Sequence, residues 1–283
     1  MRRWWRWAVA ILLVAAALRY ALHFPWVDTW DALASADVGL LATAAMANLL
    51  SLACKAGGWH LILRPDARVR VRTTQAATFA GAAVGSVAIA MSGEAARLHL
   101  LSTRDGVPAS VAARSIAASR VLEAAGLGVF LLLLAAGQVG VHGWRLVAAA
   151  LGLGGGALAV LMWLRRGRRV DELLLALTFT VAAWLLQWAT YHWAIAATHA
   201  AVTPGSSALA LLLSNAGGIL RLTPGNVGVL QGAVVLGLAP AGVPAARAVA
   251  AGLALQAVLV LPVVGVGLVI LGRRELRRVR ATS

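Results

Sequence analysis

The stretch TTQAATFAGAAVGSVAIAMSGEAARLHLLSTRDGV, residues 73–107, decides how this chain is organised. It follows a basic run of Arg64, Arg68, Arg70 and Arg72. Its first half is apolar, Gly81, Gly85 and Gly93 interrupt it, and its second half carries Glu94, Arg97, Arg104 and Asp105. Two full membrane crossings of about 20 residues each would both be short here, and the second would be strongly charged. The flanks sharpen the point. Residues 109–137 form a long apolar segment, and residues 144–164 form another that ends in Arg165-Arg166-Gly167-Arg168-Arg169. Basic clusters stay cytoplasmic. Residues 109–137 must then run outward and 144–164 inward, so 73–107 begins and ends on the cytoplasmic side. A re-entrant helical hairpin satisfies this, with its irregular backbone shielded by protein or facing a cavity.

Composition supports the membrane reading. Of the 283 residues, 61% are hydrophobic and 12% charged, and mean hydropathy is +0.83. Soluble proteins are about 25% charged, and a soluble domain could not hide this much apolar surface. The formal net charge is +15. Its placement in short arginine clusters between apolar runs argues for cytoplasmic loops against anionic lipid heads, not for nucleic acid. The single cysteine, Cys54, excludes an intrachain disulfide and any cysteine-based metal site; it reads as a small packing residue.

The same bookkeeping orders the rest. Residues 7–24 read as an uncleaved first span behind an interfacial Trp4, Trp5 and Trp7. An acidic connector with Asp28, Asp31 and Asp37 follows, then a span over 38–63. Residues 173–198 form a span, with Trp184, Trp188, Tyr191 and Trp193 reading as an interfacial belt near its outer end. The last span, 245–271, ends in Arg273, Arg274, Arg277, Arg278 and Arg280. Residues 206–240 mirror the first puzzle: they must begin and end outside, and they contain Gly217-Gly218 and Leu222-Thr223-Pro224-Gly225-Asn226-Val227-Gly228. A second hairpin, entered from the opposite face, is expected. Gly106-Val107-Pro108-Ala109 and Gly242-Val243-Pro244-Ala245 each precede an alanine-rich span. Similar sequence in opposite orientation is the mark of an inverted repeat. The expectation is an all-α polytopic membrane protein: one transmembrane domain over 1–283, six spans, two re-entrant hairpins, repeat-like halves at 73–137 and 206–271, and both termini cytoplasmic in the cell's inner (plasma) membrane.

An ionisable group inside a membrane marks function by default. The candidates are Lys55, Glu94, Arg97, Arg120, Glu123, Arg221 and Arg247. Glu94–Arg97 and Arg120–Glu123 are each three apart, so on helices each pair shares a face. Each could equally neutralise itself and only hold the fold, and Arg97 could snorkel to the interface. Broken helices near Gly93 and Pro224-Gly225 would present free N–H groups and a positive dipole end. With arginines alongside, that suits an anionic head group, although the glycines would also serve close helix packing. The six scattered histidines show no ligand spacing, so no metal or other cofactor is expected. No Gly-x-Ser-x-Gly elbow or Walker loop is present.

These motifs carry a resemblance. Met91-Ser92-Gly93-Glu94-Ala95-Ala96-Arg97, Gly106-Val107-Pro108, and Ser119-Arg120-Val121-Leu122-Glu123 resemble the flippase-like family, the lysylphosphatidylglycerol synthase transmembrane-region family. Thr223-Pro224-Gly225-Asn226-Val227-Gly228-Val229-Leu230-Gln231 and the Lys55–Trp59 region are similar to its elements too, and the likeness covers roughly residues 40–272. This chain departs from the pattern at Gln231 and Glu123, where Glu and Asp are usual, and at Asn226, where Gly is usual. Gln256 sits where an Arg is common. The resemblance implies translocation of a lipid or lipid-linked molecule, with Glu94, Arg97, Arg120, Glu123, Lys55, Arg221, Pro224, Gly225, Asn226 and Gln231 around the cargo. Expected partners are membrane lipids, anionic or lipid-linked, with a second copy of the chain or lipid-biosynthesis enzymes as further candidates. Ending soon after the last span, the chain is not expected to make the lipid itself. An intramembrane lipid-modifying transferase and a non-transporting scaffold are the rival readings.

Overall fold

A computed structural model describes residues 24–87, 92–139, 170–220 and 226–282, together with 19, 22, 148, 149, 151–153, 155 and 156. The expected spans at 7–24 and 144–164 lie mostly outside these residues, as do the joint of the first hairpin at 88–91 and Arg221, Pro224 and Gly225 in the second. Among the described residues every element is helical: α1 Trp26–Ala34, α2 Val38–Leu63, α3 Val71–Val87, α4 Ser92–Asp105, α5 Ala109–Val139, α6 Val170–Ala196, α7 Pro204–Leu220, α8 Val229–Leu238, a 3₁₀ turn Ala239–Ala241, and α9 Ala245–Thr282.

Four segments are long and apolar enough to cross a membrane: Val38–Leu63, Ala109–Leu134, Val170–Ala196 and Ala245–Ile270. They coincide with four of the expected spans. The acidic connector is not plain loop but carries α1. Asp28 lies in its first turn, where the helix dipole favours an anion. The Thr29 hydroxyl donates to Pro25 O and to Ala246 O, both at 3.2 Å, which docks the short helix on the start of α9. Helix α2 begins where the Asp37 carboxylate accepts the Leu40 N–H at 3.0 Å, an N-cap that satisfies one orphan donor. Helix α9 runs on past residue 271 because arginine is a good helix former.

Polar bonds and small residues hold the long helices together, as expected where lipid removes the hydrophobic drive between them. Helices α2 and α6 pack extensively along each other. Buried Ser51 donates to Ala183 O at 2.8 Å, and Asn48 Nδ2 donates to Val258 O and Leu259 O of α9, both at 3.3 Å. Large apolar side chains such as Met46, Leu236, Leu261 and Leu268 stand exposed on outer faces, where lipid rather than water is the natural solvent.

The two short-helix pairs are where close approach matters. A Cβ on Gly93 would lie 2.5 Å from Gly81 O, and one on Gly81 would lie 2.6 Å from Arg97 Cγ. Helices α3 and α4 therefore pack backbone to backbone, and only glycine fits there. In the second pair a Cβ on Gly237 would lie 2.7 Å from the Ala210 backbone, so α8 lies against α7 in the same way. Each pair leads through a Gly-Val-Pro turn into a long helix, and both turn glycines are left-handed, Gly106 at φ 65° and Gly242 at φ 69°. That conformation is cheap only for glycine. Proline then sits just ahead of the helix, where its missing N–H costs nothing.

At the base of the first pair, Arg70 clamps Asp105. Its backbone N–H donates at 3.0 Å, its Nε at 3.0 Å and its Nη2 at 2.7 Å. Burial pushes the Asp105 carboxyl up, but the Arg70 backbone and guanidinium together with the Thr73 hydroxyl outweigh it and hold the group below its usual range.

Candidate functional site

Helix α4 starts beside Gly93, and its first turn presents Glu94 and Arg97 on one face. Arg97 Nη1 donates to Glu94 Oε2 at 3.4 Å, with both side chains nearly buried at 12% and 11% exposure. On α5, Arg120 Nη1 donates to Glu123 Oε2 at 2.7 Å. Both pairs expected from spacing are therefore formed. The structure adds a link between them: Arg120 Nη2 donates to Glu94 Oε1. Glu94 thus bridges two arginines from different helices. Arg97 is the more enclosed, while the Arg120 side chain remains 47% exposed.

Two tryptophans complete the cluster. The Arg97 guanidinium lies 5.7 Å from the ring centre of buried Trp59, and the Trp59 indole donates to Ser115 Oγ at 3.1 Å. Lys55 Nζ lies 4.8 Å from the ring centre of Trp184, whose indole donates to Glu123 O at 2.8 Å. A cation over an aromatic face gains most when water is excluded. Lys55 also interacts with Glu123, Arg120 and Arg97. Three basic side chains, Lys55, Arg97 and Arg120, thus stand with two acidic ones, Glu94 and Glu123. Trp184 and Tyr191 are buried, at 5% and 4% exposure. The interfacial-belt reading does not hold for these two; α6 turns that face inward against α2 and α5.

Beside the cluster lies a cavity of about 560 Å³. Gly85 and Ser86 of α3, Arg120 of α5, Tyr191 of α6, Ser214 and Asn215 of α7, Asn226, and Gln256 of α9 line it. It therefore sits between the two short-helix pairs. Arg120 and Gln256 stand the same 14 positions beyond Gly106 and Gly242, and both reach this one cavity.

The two departures in the second pair have a local physical account. Asn226 adopts φ 54°, a left-handed conformation that asparagine tolerates better than most residues, so it can stand where a glycine is usual. Gln231 Oε1 accepts the Gly228 N–H at 2.7 Å, a cap that a glutamate oxygen would also make. The exchange removes a charge and keeps the helix start. Gln231 Nε2 is buried with no hydrogen-bond partner among the described residues. Arg247, on the first turn of α9, reaches His199 O at 3.4 Å and does not line this cavity. Arg221, Pro224 and Gly225 fall outside the described residues. Among the described residues, no group of three or more His, Cys, Asp or Glu could hold a metal ion.

Spacing alone could not reveal the Glu94–Arg120 bridge, since its ends are 26 positions apart and lie on two different helices. Tyr191, Ser214 and Asn215 also lay outside the expected set. They are ordinary polar residues within apolar runs, and only the packing of α6 and α7 turns them to one space.

A family model described as the lysylphosphatidylglycerol synthase TM region matches residues 5–267, nearly the whole chain. The chain belongs to that family. No curated protein matches it.

Proposed function

From membership in this membrane family, and from an arginine–carboxylate cluster bordering a cavity between two helix pairs, we propose that the chain moves a lipid or lipid-linked molecule between membrane leaflets. The observation that carries the proposal is Arg120. It is a half-exposed cation held by Glu94 and Glu123 at the wall of a cavity, in a protein whose long helices are apolar enough to span. A charge there is costly unless it serves a pathway.

In this reading α3–α4 enters the membrane from the cytoplasmic face and α7–α8 from the opposite face, as related halves of an inverted repeat. The repeated order of short pair, left-handed glycine, proline and long helix supports it. The cargo's head group enters the cavity beside Arg120, and its chains remain in lipid. Glu94 fixes the arginine fork, and Arg97, packed on Trp59, fixes Glu94. In this reading both termini lie on the cytoplasmic side of the inner membrane, which the basic runs after the apolar segments support.

The experiment is reconstitution of purified protein into vesicles with labelled lipids of several head-group classes. Head groups crossing faster than in protein-free vesicles, with the acceleration lost in Arg120→Gln, supports the proposal. Equal rates with and without protein across all classes refute it. A folded Arg120→Gln variant that complements a deletion strain fully would point instead to a scaffold.

A further inference from the structure

We propose that Pro262 is a hinge in α9 and that Asn48 of α2 is the latch on it, so that the cavity between the two short-helix pairs widens and narrows as α9 bends at this point. This rests on the transporter reading, which needs the cavity to change shape as cargo enters and leaves.

Backbone chemistry decides where the hinge lies. Pro262 stands inside α9, within the stretch apolar enough to cross a membrane. Proline has no N–H, so the carbonyl four residues earlier, Val258 O, lacks its helical donor, and the proline ring crowds that same carbonyl. Sharp bends in helices fall at such positions. In lipid an unpaired carbonyl is costly, and proline is tolerated where a neighbouring helix meets the freed group. Asn48 does so. It is 3% exposed, and its Nδ2 donates to Val258 O and Leu259 O, both at 3.3 Å. The amide nitrogen carries two N–H groups, and both are spent on this one joint. The bonds are longer than the usual range of about 2.7–3.2 Å. They satisfy the carbonyls yet part easily, as a joint that opens requires. Once it opens, water in the widened cavity meets the carbonyls instead.

Packing decides what the hinge moves. Ahead of Pro262, a Cβ on Gly252 would lie 3.0 Å from Gln231 Cα, so this part of α9 is fitted closely to α8. Beyond Pro262, a Cβ on Gly267 would lie 2.5 Å from Ala83 Cβ, so that part is fitted closely to α3. Helix α9 therefore joins the two short-helix pairs, with the proline between its two contacts. Gln256, Leu259 and Val260 line the cavity just ahead of the joint, and Gly85 and Ser86 of α3 line it too. A bend at Pro262 carries α3 relative to α8 and changes the width of the space between them.

The test uses the purified full chain in vesicles, with Cys54→Ser as parent. Spin labels go on Leu236→Cys of α8 and Leu268→Cys of α9, both at exposed positions, and pulsed paramagnetic resonance reads the distance between them. Asn48→Ala should raise the population of a second distance roughly twofold to tenfold, the range for loss of one neutral hydrogen bond. Pro262→Ala restores the N–H to Val258 O and should give one narrow distance. The same variant should slow lipid crossing at least about fivefold with a melting temperature equal to the parent's or higher, because a helix that cannot bend blocks a conformational step. A latch that served stability alone would move neither the distances nor the crossing rate. Distances that are identical in parent, Asn48→Ala and Pro262→Ala overturn the proposal. If Asn48→Ala does not fold, Pro262→Ala decides, since it adds a backbone bond and removes none. The two ideas separate cleanly. Crossing undiminished in Pro262→Ala overturns the hinge and leaves transport standing, whereas a parent that moves no lipid removes transport while the distances still decide the hinge.

Discussion

Glu94 contacts two arginines, and its neutralisation separates burial from proximity as the source of their coupling. At 3.4 Å from Arg97, Coulomb's law gives about 5 kcal/mol at an effective dielectric near 20 and about 1 kcal/mol in water. Both partners are nearly buried, so the low-dielectric figure is the better guide. Desolvation takes back a share, leaving a net coupling of about 2–3 kcal/mol. Arg120 makes the closer contact, yet its side chain is 47% exposed and Glu123 also pairs with it. Screening and that second partner reduce its coupling to Glu94 to about 1 kcal/mol or less. The assay is a pair of double-mutant cycles, Glu94→Gln with Arg97→Gln and Glu94→Gln with Arg120→Gln, measured by reversible unfolding in mixed micelles. A Glu94–Arg120 coupling larger than the Glu94–Arg97 coupling would refute the reasoning.

Three further outcomes follow from particular contacts. Gly93→Ala puts a methyl 2.5 Å from Gly81 O; it should cost about 1–3 kcal/mol by overpacking, read as a lower melting temperature of the purified protein. Gly106→Ala meets open space but keeps φ 65°, so a loss of only about 1 kcal/mol is expected in the same melt, from backbone strain alone. Asp105→Asn should cost about 1 kcal/mol at neutral pH, because the exposed Arg70 side chain is well screened. The folded carboxyl is held below its usual range. Its stabilisation is therefore complete above the unfolded value of about 3.9 and is lost as pH falls through the lower folded value. Unfolding curves of wild type and variant should stay separated down to about pH 4 and converge below it.

Much of this was legible in the sequence because the signals are local. The length and apolarity of 38–63, 109–137, 173–198 and 245–271 announce spanning helices, and four segments of that kind are present. The i, i+3 spacing announces the Glu94–Arg97 and Arg120–Glu123 pairs. What escaped is long-range. The bridge from Arg120 to Glu94 depends on where α4 meets α5. The burial of Trp184 and Tyr191 depends on which face α6 turns to α2, and an aromatic cluster in a span looks alike whether it meets lipid interface or protein. Helix α1 escaped for another reason: nine residues with two tryptophans and two aspartates read as connector until Thr29 is seen bonded to α9.

The most direct measurement is lipid crossing in vesicles that hold the purified full chain, with a membrane-impermeant reagent reading labelled head groups on the outer leaflet. The account predicts faster crossing than in protein-free vesicles, and loss of most of that acceleration in an Arg120→Gln variant whose melting confirms its fold. Crossing no faster than in empty vesicles for every head-group class, or crossing untouched by Arg120→Gln, would contradict it.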